Sequence, residues 1–253
     1  MRSDAERVAA ARTAIADAAL CERAIACLDL TALGDADDEV GAVALARRAR
    51  AAGVAAVCVW PRFVPAVKAV LTGGPVRVAT VANFPHGGDD LGQAAAETAA
   101  AFAAGADEVD VVAPLQAILD GDVEAVGEMV LACKAAVPPG GTLKLILETG
   151  LLAEPSVITA AARAAVMAGV DMLKTSTGKV PVGATLEAAS LLLDVVAEAG
   201  GRVGLKVAGA VRTADEAAGY LALCDAVMGP DWANPRTFRL GASSLLDALE
   251  ARR

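Results

Sequence analysis

Short apolar runs alternate with longer Ala-rich amphipathic stretches along most of the chain. The runs are Ile25–Leu30, Ala55–Trp60, Val76–Ala82, Asp107–Val112, Leu143–Glu148, Asp171–Thr175, Val203–Val207 and Thr237–Gly241. Their length and composition predict strands. Helical patterns lie between them: Glu39–Ala52, Arg62–Leu71, Leu91–Ala104, Asp122–Ala136, Pro155–Ala168, Leu186–Ala199, Ala214–Leu223 and a last one from Ser243. Gly53, Gly105, Gly169 and Gly200 mark helix ends. Strand and helix in alternation imply a parallel sheet. Eight such units in 253 residues predict a (β/α)8 TIM barrel with an extra N-terminal helix. No linker divides the chain, so residues 1–253 read as a single domain, with 1–22 as a helical extension. A doubly wound sheet is the alternative. It requires Gly-x-Gly-x-x-Gly after an early strand, and none is present. The eighth strand has a rival in Ala226–Trp232, read here as part of an elaborated loop.

Period-two alternation says where strand side chains point. Glu108 and Asp110 share one face of their strand, and Val109 and Val111 share the other. In the fifth strand Leu143, Leu145 and Leu147 take one face; Lys144, Ile146 and Glu148 take the other. The uniformly apolar face packs against helices, which turns the charged positions into the barrel. Lys174 and Lys206 fall inside by the same rule. Acids and amines of strands four to seven therefore converge near the C-terminal mouth, where barrel enzymes keep their chemistry.

Composition sharpens this. The chain is 56% hydrophobic but only 3% aromatic, so Ala, Val and Leu build the core. A formal net charge of −9 argues against nucleic acid and anionic membrane as partners. Five scattered cysteines without a C-x-x-C pair suit reduced thiols in a cytoplasm. The charged N-terminus lacks a signal-peptide pattern, and no apolar run reaches spanning length. There is one histidine, His86, which excludes a histidine-rich metal site. Only six lysines are present, and three of them, Lys144, Lys174 and Lys206, lie inside apolar runs. A buried ammonium costs several kcal/mol unless it is paired or gives up its proton. Arginine cannot make that surrender; lysine can.

Two lysines at one mouth are expected to lower each other's pKa. At an effective dielectric near 20, like charges about 4 Å apart repel by roughly 4 kcal/mol, about three pKa units. A neutral amine attacks a carbonyl and forms a Schiff base, an electron sink for C–C chemistry that needs no metal and no cofactor. Asp110 is placed to shuttle protons. The loops Thr177-Gly178-Lys179, Ala208-Gly209-Ala210 and Gly241-Ala242-Ser243-Ser244 follow the last three strands, where barrels commonly hold phosphate. Cys58, Trp60, Trp232 and His86 read as packing or loop-shaping residues, and Asp35-Ala36-Asp37-Asp38-Glu39 as a solvated helix start.

Leu28-Asp29-Leu30-Thr31, Cys58-Val59-Trp60-Pro61-Arg62-Phe63, Asn83-Phe84-Pro85-His86-Gly87, Gly105 to Val112, Glu148-Thr149-Gly150, Lys174-Thr175-Ser176-Thr177-Gly178-Lys179, Gly204-Leu205-Lys206 and Gly241 to Ser244 together resemble the deoxyribose-phosphate aldolases, a class I aldolase family. The likeness runs from about Cys27 to Leu249. It implies reversible cleavage of 2-deoxy-D-ribose 5-phosphate to D-glyceraldehyde 3-phosphate and acetaldehyde, in deoxyribonucleoside catabolism. By the family motif Lys174 forms the Schiff base, and Asp110 and Lys206 move protons and tune it. Gly178, Lys179, Gly209, Ala210, Gly241, Ser243 and Ser244 hold the phosphate. Asp29, Cys58 and Thr177 line the substrate pocket, while Lys144 and Glu148 orient the lysines. A homo-oligomer, with a dimer favoured, is implied too.

Two departures stand out. Ala210 replaces the second glycine of a family Gly-Gly pair, where an added methyl weakens a close phosphate approach. The chain stops at Arg253, where many members continue to a terminal tyrosine, so tail-assisted proton transfer is not expected. Two other functions fit the residues: a non-catalytic sugar-phosphate-binding barrel, and a class I aldolase with a different acceptor aldehyde.

Overall fold

The computed structural model describes residues 3–209 and 211–253. Eight parallel strands close into a barrel in chain order: β1 (Leu28–Ala32), β2 (Ala56–Val59), β3 (Arg77–Ala82), β4 (Glu108–Val112), β5 (Thr142–Ile146), β6 (Met172–Lys174), β7 (Gly204–Ala208) and β8 (Phe238–Ala242). β8 pairs with β1, Leu28 opposite Leu240, which completes the ring. Before the barrel come α1 (Asp4–Arg12) and α2 (Ala18–Ala26). Around it lie α3 (Glu39–Ala52), α4 (Val64–Leu71), α5 (Leu91–Ala103), α6 (Leu115–Leu119), α7 (Glu124–Lys134), α8 (Thr149–Leu152), α9 (Pro155–Met167), α10 (Leu186–Glu198), α11 (Ala214–Met228) and α12 (Leu245–Glu250).

The expected barrel is present, with three local corrections. Ile25 belongs to α2, whose first turn is capped by Asp17, so β1 begins three residues later than expected. α11 continues to Met228, so part of Ala226–Trp232 is helix and Phe238–Ala242 is the closing strand. The N-terminal extension holds two helices, not one. α1 carries a complete capping box between Ser3 and Glu6. It lies against α10 and α11, where Arg7 pairs with Asp194 and Ala11 meets Gly219. Arg23 of α2 pairs with Asp225 of α11.

The main core lies outside the strands, not inside them. Val57, Val109, Val111, Leu143, Leu145, Leu173, Leu205 and Leu240 face outward and join the alanine faces of the helices in one cluster. Alanine at Ala42, Ala46 and Ala49 lets α3 come close to the sheet, as Ala161, Ala162 and Ala165 do for α9. Each buried Leu contributes about 2 kcal/mol there. Inside the barrel the apolar packing is small: Ala56, Cys58, Ala79, Val81 and Leu33 in one group, and Val112, Leu115 and Ile146 in another. Phe84 touches both groups and meets Trp60 edge-on at 5.6 Å. Charge fills the rest of the lumen.

Candidate active site

Seven charged side chains share the inward register positions: Asp29, Glu108, Asp110, Lys144, Lys174, Lys206 and Arg239. All seven are buried. Asp110 stands opposite Lys144, and Lys174 opposite Lys206. The Nζ atoms of Lys174 and Lys206 both lie 2.8 Å from one oxygen, Oδ2 of Asp110; Lys144 takes Oδ1, also at 2.8 Å. Lys206 reaches a second carboxylate, Asp29, at 2.6 Å. Lys144 reaches Glu108 at 2.6 Å and, more loosely, Asp29 at 3.6 Å. Arg239 is forked between Asp29 (2.6 Å) and Glu108 (2.8 Å). Lys174 alone among these bases has one carboxylate.

That difference separates the amines. Burial presses all three lysines toward neutrality. For Lys174 the single bond to Asp110 does not offset burial and the nearby Lys206 charge, and its pKa falls below 10.5. For Lys206 burial is overcome by Asp110 and Asp29, which hold it well above 10.5; for Lys144, Asp110 and Glu108 overcome burial and raise it above 10.5. The expected mutual lowering is therefore one-sided. Lys206 keeps its proton, and its charge helps Lys174 to lose one. Burial would raise the Asp110 carboxyl, but Lys144, Lys174 and Lys206 hold it well below the usual range, so it is an anion.

Above the charged layer opens a cavity of about 330 Å3. Lys174 and Lys206 form part of its floor. Thr177, Gly178 and Lys179 line one side, Gly209 another, and Gly241, Ser243 and Ser244 a third. Close backbone packing shapes this rim. A Cβ on Gly183 would overlap the Gly209 carbonyl oxygen, and Gly209 itself has φ +93° with a Cβ position 3.1 Å from Gly178 Cα. Ala210 lies outside the described residues. Lys179 crosses the mouth to pair with Asp35 at 3.0 Å and sits 5.6 Å from the Trp60 ring centroid.

Three expected positions differ. Asp29 and Cys58 sit within the barrel and do not line this cavity; Thr31 is the β1 residue that does. Asp29 is one inward step nearer the closed end of β1, where Lys206 and Arg239 hold it, and Cys58 packs with Ala56, Ala79 and Val81 beside the lysines, below the cavity. Glu148 does not reach the lysines. β5 ends at Ile146, and at Glu148 the backbone turns left-handed, φ 52°. Its carboxylate accepts from the Thr177 amide and hydroxyl, and the Thr177 hydroxyl oxygen accepts from the Lys179 amide at 3.0 Å. Glu148 thus braces the loop after β6. Burial raises its pKa.

Sequence reading missed Arg239, Arg212, Thr31 and the bracing glycines Gly150 and Gly183. Arg239 carried a usable signal: an arginine inside Phe238-Arg239-Leu240, at the inward step of the alternation. Arg212 lines the cavity from a loop, where no periodicity applies.

Fold and site together define a (β/α)8 barrel with buried amines below a cavity at its C-terminal mouth. The chain belongs to the DeoC/LacD family of aldolases: the family model matches residues 23–249. A candidate deoxyribose-phosphate aldolase from Coccidioides immitis is 25% identical, with 99% of this chain and 98% of that one covered at a TM-score of 0.82. An aldolase named QR15 is 28% identical over 90% and 95% of the two chains, TM-score 0.76. The deoxyribose phosphate aldolase of Aeropyrum pernix, a tetramer, shares the fold at 23% identity and TM-score 0.76, over 99% of this chain and 98% of that one.

Proposed function

We propose that this aldolase reversibly cleaves 2-deoxy-D-ribose 5-phosphate to D-glyceraldehyde 3-phosphate and acetaldehyde, and that Lys174 is its Schiff-base residue. The observation that carries this reading is the buried Lys174 amine on the floor of a cavity, with its pKa pushed down beside a lysine that stays charged. The neutral amine adds to the C1 aldehyde, and loss of water leaves an iminium. Its positive charge stands where an ammonium would, beside the Asp110 anion. The Asp110 carboxylate accepts the proton of the C3 hydroxyl through water. The C2–C3 bond then breaks, its electron pair moves into the iminium to give an enamine, and C3 leaves as the aldehyde carbon of D-glyceraldehyde 3-phosphate. Protonation of the enamine and hydrolysis release acetaldehyde and regenerate the amine. Lys206 supplies fixed positive charge on the floor throughout.

The phosphate end of the substrate fits the rim. Gly178, Gly209 and Gly241 bring backbone close to the cavity, Ser243 and Ser244 offer hydroxyls, and Lys179 and Arg212 offer charge. Lys179 must exchange Asp35 for the phosphate, a light demand because the pair is exposed. We also propose self-association. The exposed Leu131 of α7 and Met167 of the adjoining α9 are the surface apolar residues that support it.

The test is a coupled assay for acetaldehyde release from deoxyribose 5-phosphate and from deoxyribose. The phosphorylated sugar is expected to have the lower KM by at least tenfold. Equal use of both sugars would favour an aldolase with another acceptor. Binding of the phosphate ester without acetaldehyde release would favour a non-catalytic binding barrel.

A further inference from the structure

The lumen has an imbalance that the reaction alone does not explain. Four bases, Lys144, Lys174, Lys206 and Arg239, share three carboxylates, Asp29, Glu108 and Asp110, in one ion-paired network. With every group charged, that network carries one surplus positive charge among buried side chains. An unbalanced buried charge is the costliest state such a network can take. The network becomes neutral when one base gives up a proton. Arg239 cannot be that base, because guanidinium stays charged.

We propose that Arg239 is a positioning residue that sets the proton count of the lumen: its permanent charge claims carboxylate capacity on Asp29 and Glu108, so that one lysine must be neutral, and Lys174, with a single carboxylate partner, is that lysine. Arg239 acts from the far side of the network. It touches Asp29 and Glu108, which touch Lys206 and Lys144, which share Asp110 with Lys174.

The other groups nearby do not upset the count. Arg77 of β3 joins Glu108 at 2.8 Å through a buried Nε, but it touches no other group of the network, and the rest of its side chain, 36% exposed, turns to the Asp107 and Gly140 carbonyls and to solvent. Cys27 beside Arg239 and Cys58 beside the lysines are thiols whose pKa burial raises, so they are uncharged at neutral pH. Glu148 faces the mouth and feels the Lys174 charge, but among the described residues it has no base at ion-pair distance; burial raises its pKa, and its oxygens are taken up by Thr177.

The experiment titrates the lysine side chains by NMR of 13Cε-labelled protein. Lys174 is identified as the resonance lost in Lys174→Arg. In Arg239→Met, which removes a fixed positive charge, the Lys174 midpoint is expected to rise by about one pH unit or more. In Glu108→Gln, which removes a negative charge, it is expected to fall. In the double variant Arg239→Met/Glu108→Gln the count is restored, and the midpoint is expected back near the wild-type value. Should Arg239→Met alone fail to fold, Glu108→Gln and the double variant carry the test. An unmoved midpoint in folded single variants overturns the proposal, as does a double variant displaced as far as Arg239→Met. A merely structural role for Arg239 predicts the latter outcome or lost folding, not opposite shifts. The inference shares Lys174 with the proposed aldolase reading, yet the titration needs no substrate. Absence of acetaldehyde release would count against that reading while the titration still judged this one.

Discussion

Lys174 and Lys206 face each other across adjacent strands, are equally buried and share one carboxylate oxygen. One extra partner, Asp29, separates the lysine that stays charged from the amine proposed as nucleophile. Removing Lys206 as Lys206→Leu takes away a charge beside Lys174 and leaves Asp110 more fully to it. The Lys174 pKa should then rise by about two to three units. Because the neutral amine reacts, the limb of the pH–rate profile governed by Lys174 should move to higher pH, and turnover at neutral pH should fall at least tenfold. A profile that stays in place would contradict the assigned coupling. Lys174→Arg should abolish activity while leaving thermal unfolding nearly unchanged, since guanidinium keeps the ion pair but forms no imine. At this scale the sequence was readable wherever a charge broke an apolar run. It misassigned Glu148, because alternation was carried two residues past the true end of β5 into a left-handed turn. It left Arg239 out, because a guanidinium cannot lose its proton and so carries no mark of a nucleophile.

Among the elements, the segment after β6 connects the amine to the rim. Thr175 is pinned to β7 by Ala208, Thr177 to Glu148, and the 182–184 stretch to Gly150 and Gly209. Thr177→Val removes the hydroxyl that Glu148 holds and that receives the Lys179 amide. Losing those bonds in a buried site costs about 1–2 kcal/mol. KM for the phosphorylated sugar should rise about tenfold, with a smaller change in kcat; a change confined to kcat would place Thr177 with the chemistry instead. Gly183→Ala should weaken the phosphorylated substrate further, because its methyl displaces the Gly209 carbonyl. None of this packing was legible in the sequence. Gly150, Gly183 and Gly209 look like ordinary loop glycines until the chain brings them together. The strands and helices themselves were legible, since alternation and Ala-rich amphipathic faces repeat eight times with little to interrupt them.

Over the whole molecule, the barrel surrounds a polar lumen with an apolar jacket, the reverse of a hydrophobic centre. Its stability must therefore depend on pH through the lumen. Asp29, Asp110 and Glu108 have folded-state pKa values below the ordinary 3.8 and 4.5, so the unfolded chain binds more protons in acid. Their stabilisation is present above those ordinary values and is lost as pH falls through them toward the folded values. Lys144 and Lys206 are raised above 10.5, so their contribution is full below 10.5 and disappears only at higher pH. Lys174 acts oppositely: its lowered pKa subtracts stability below the folded value. Thermal unfolding followed from pH 7 to pH 3 should show Tm falling steeply below about pH 4.5. A flat Tm across that range would mean that folding does not lower the pKa of the lumen carboxylates. The eightfold layout was foreseeable from chain length and pattern, whereas the charge count of the lumen was not, because it depends on which partners share each oxygen.

The central claim is that Lys174 is an amine able to capture an aldehyde at neutral pH. Incubation with acetaldehyde and borohydride, followed by peptide mass analysis, tests it most directly. The account predicts an ethyl group on the peptide carrying Lys174, formed more slowly as pH falls and absent in Lys174→Arg. An unmodified Lys174 peptide, or an ethyl group only on exposed amines such as Lys179, would contradict it.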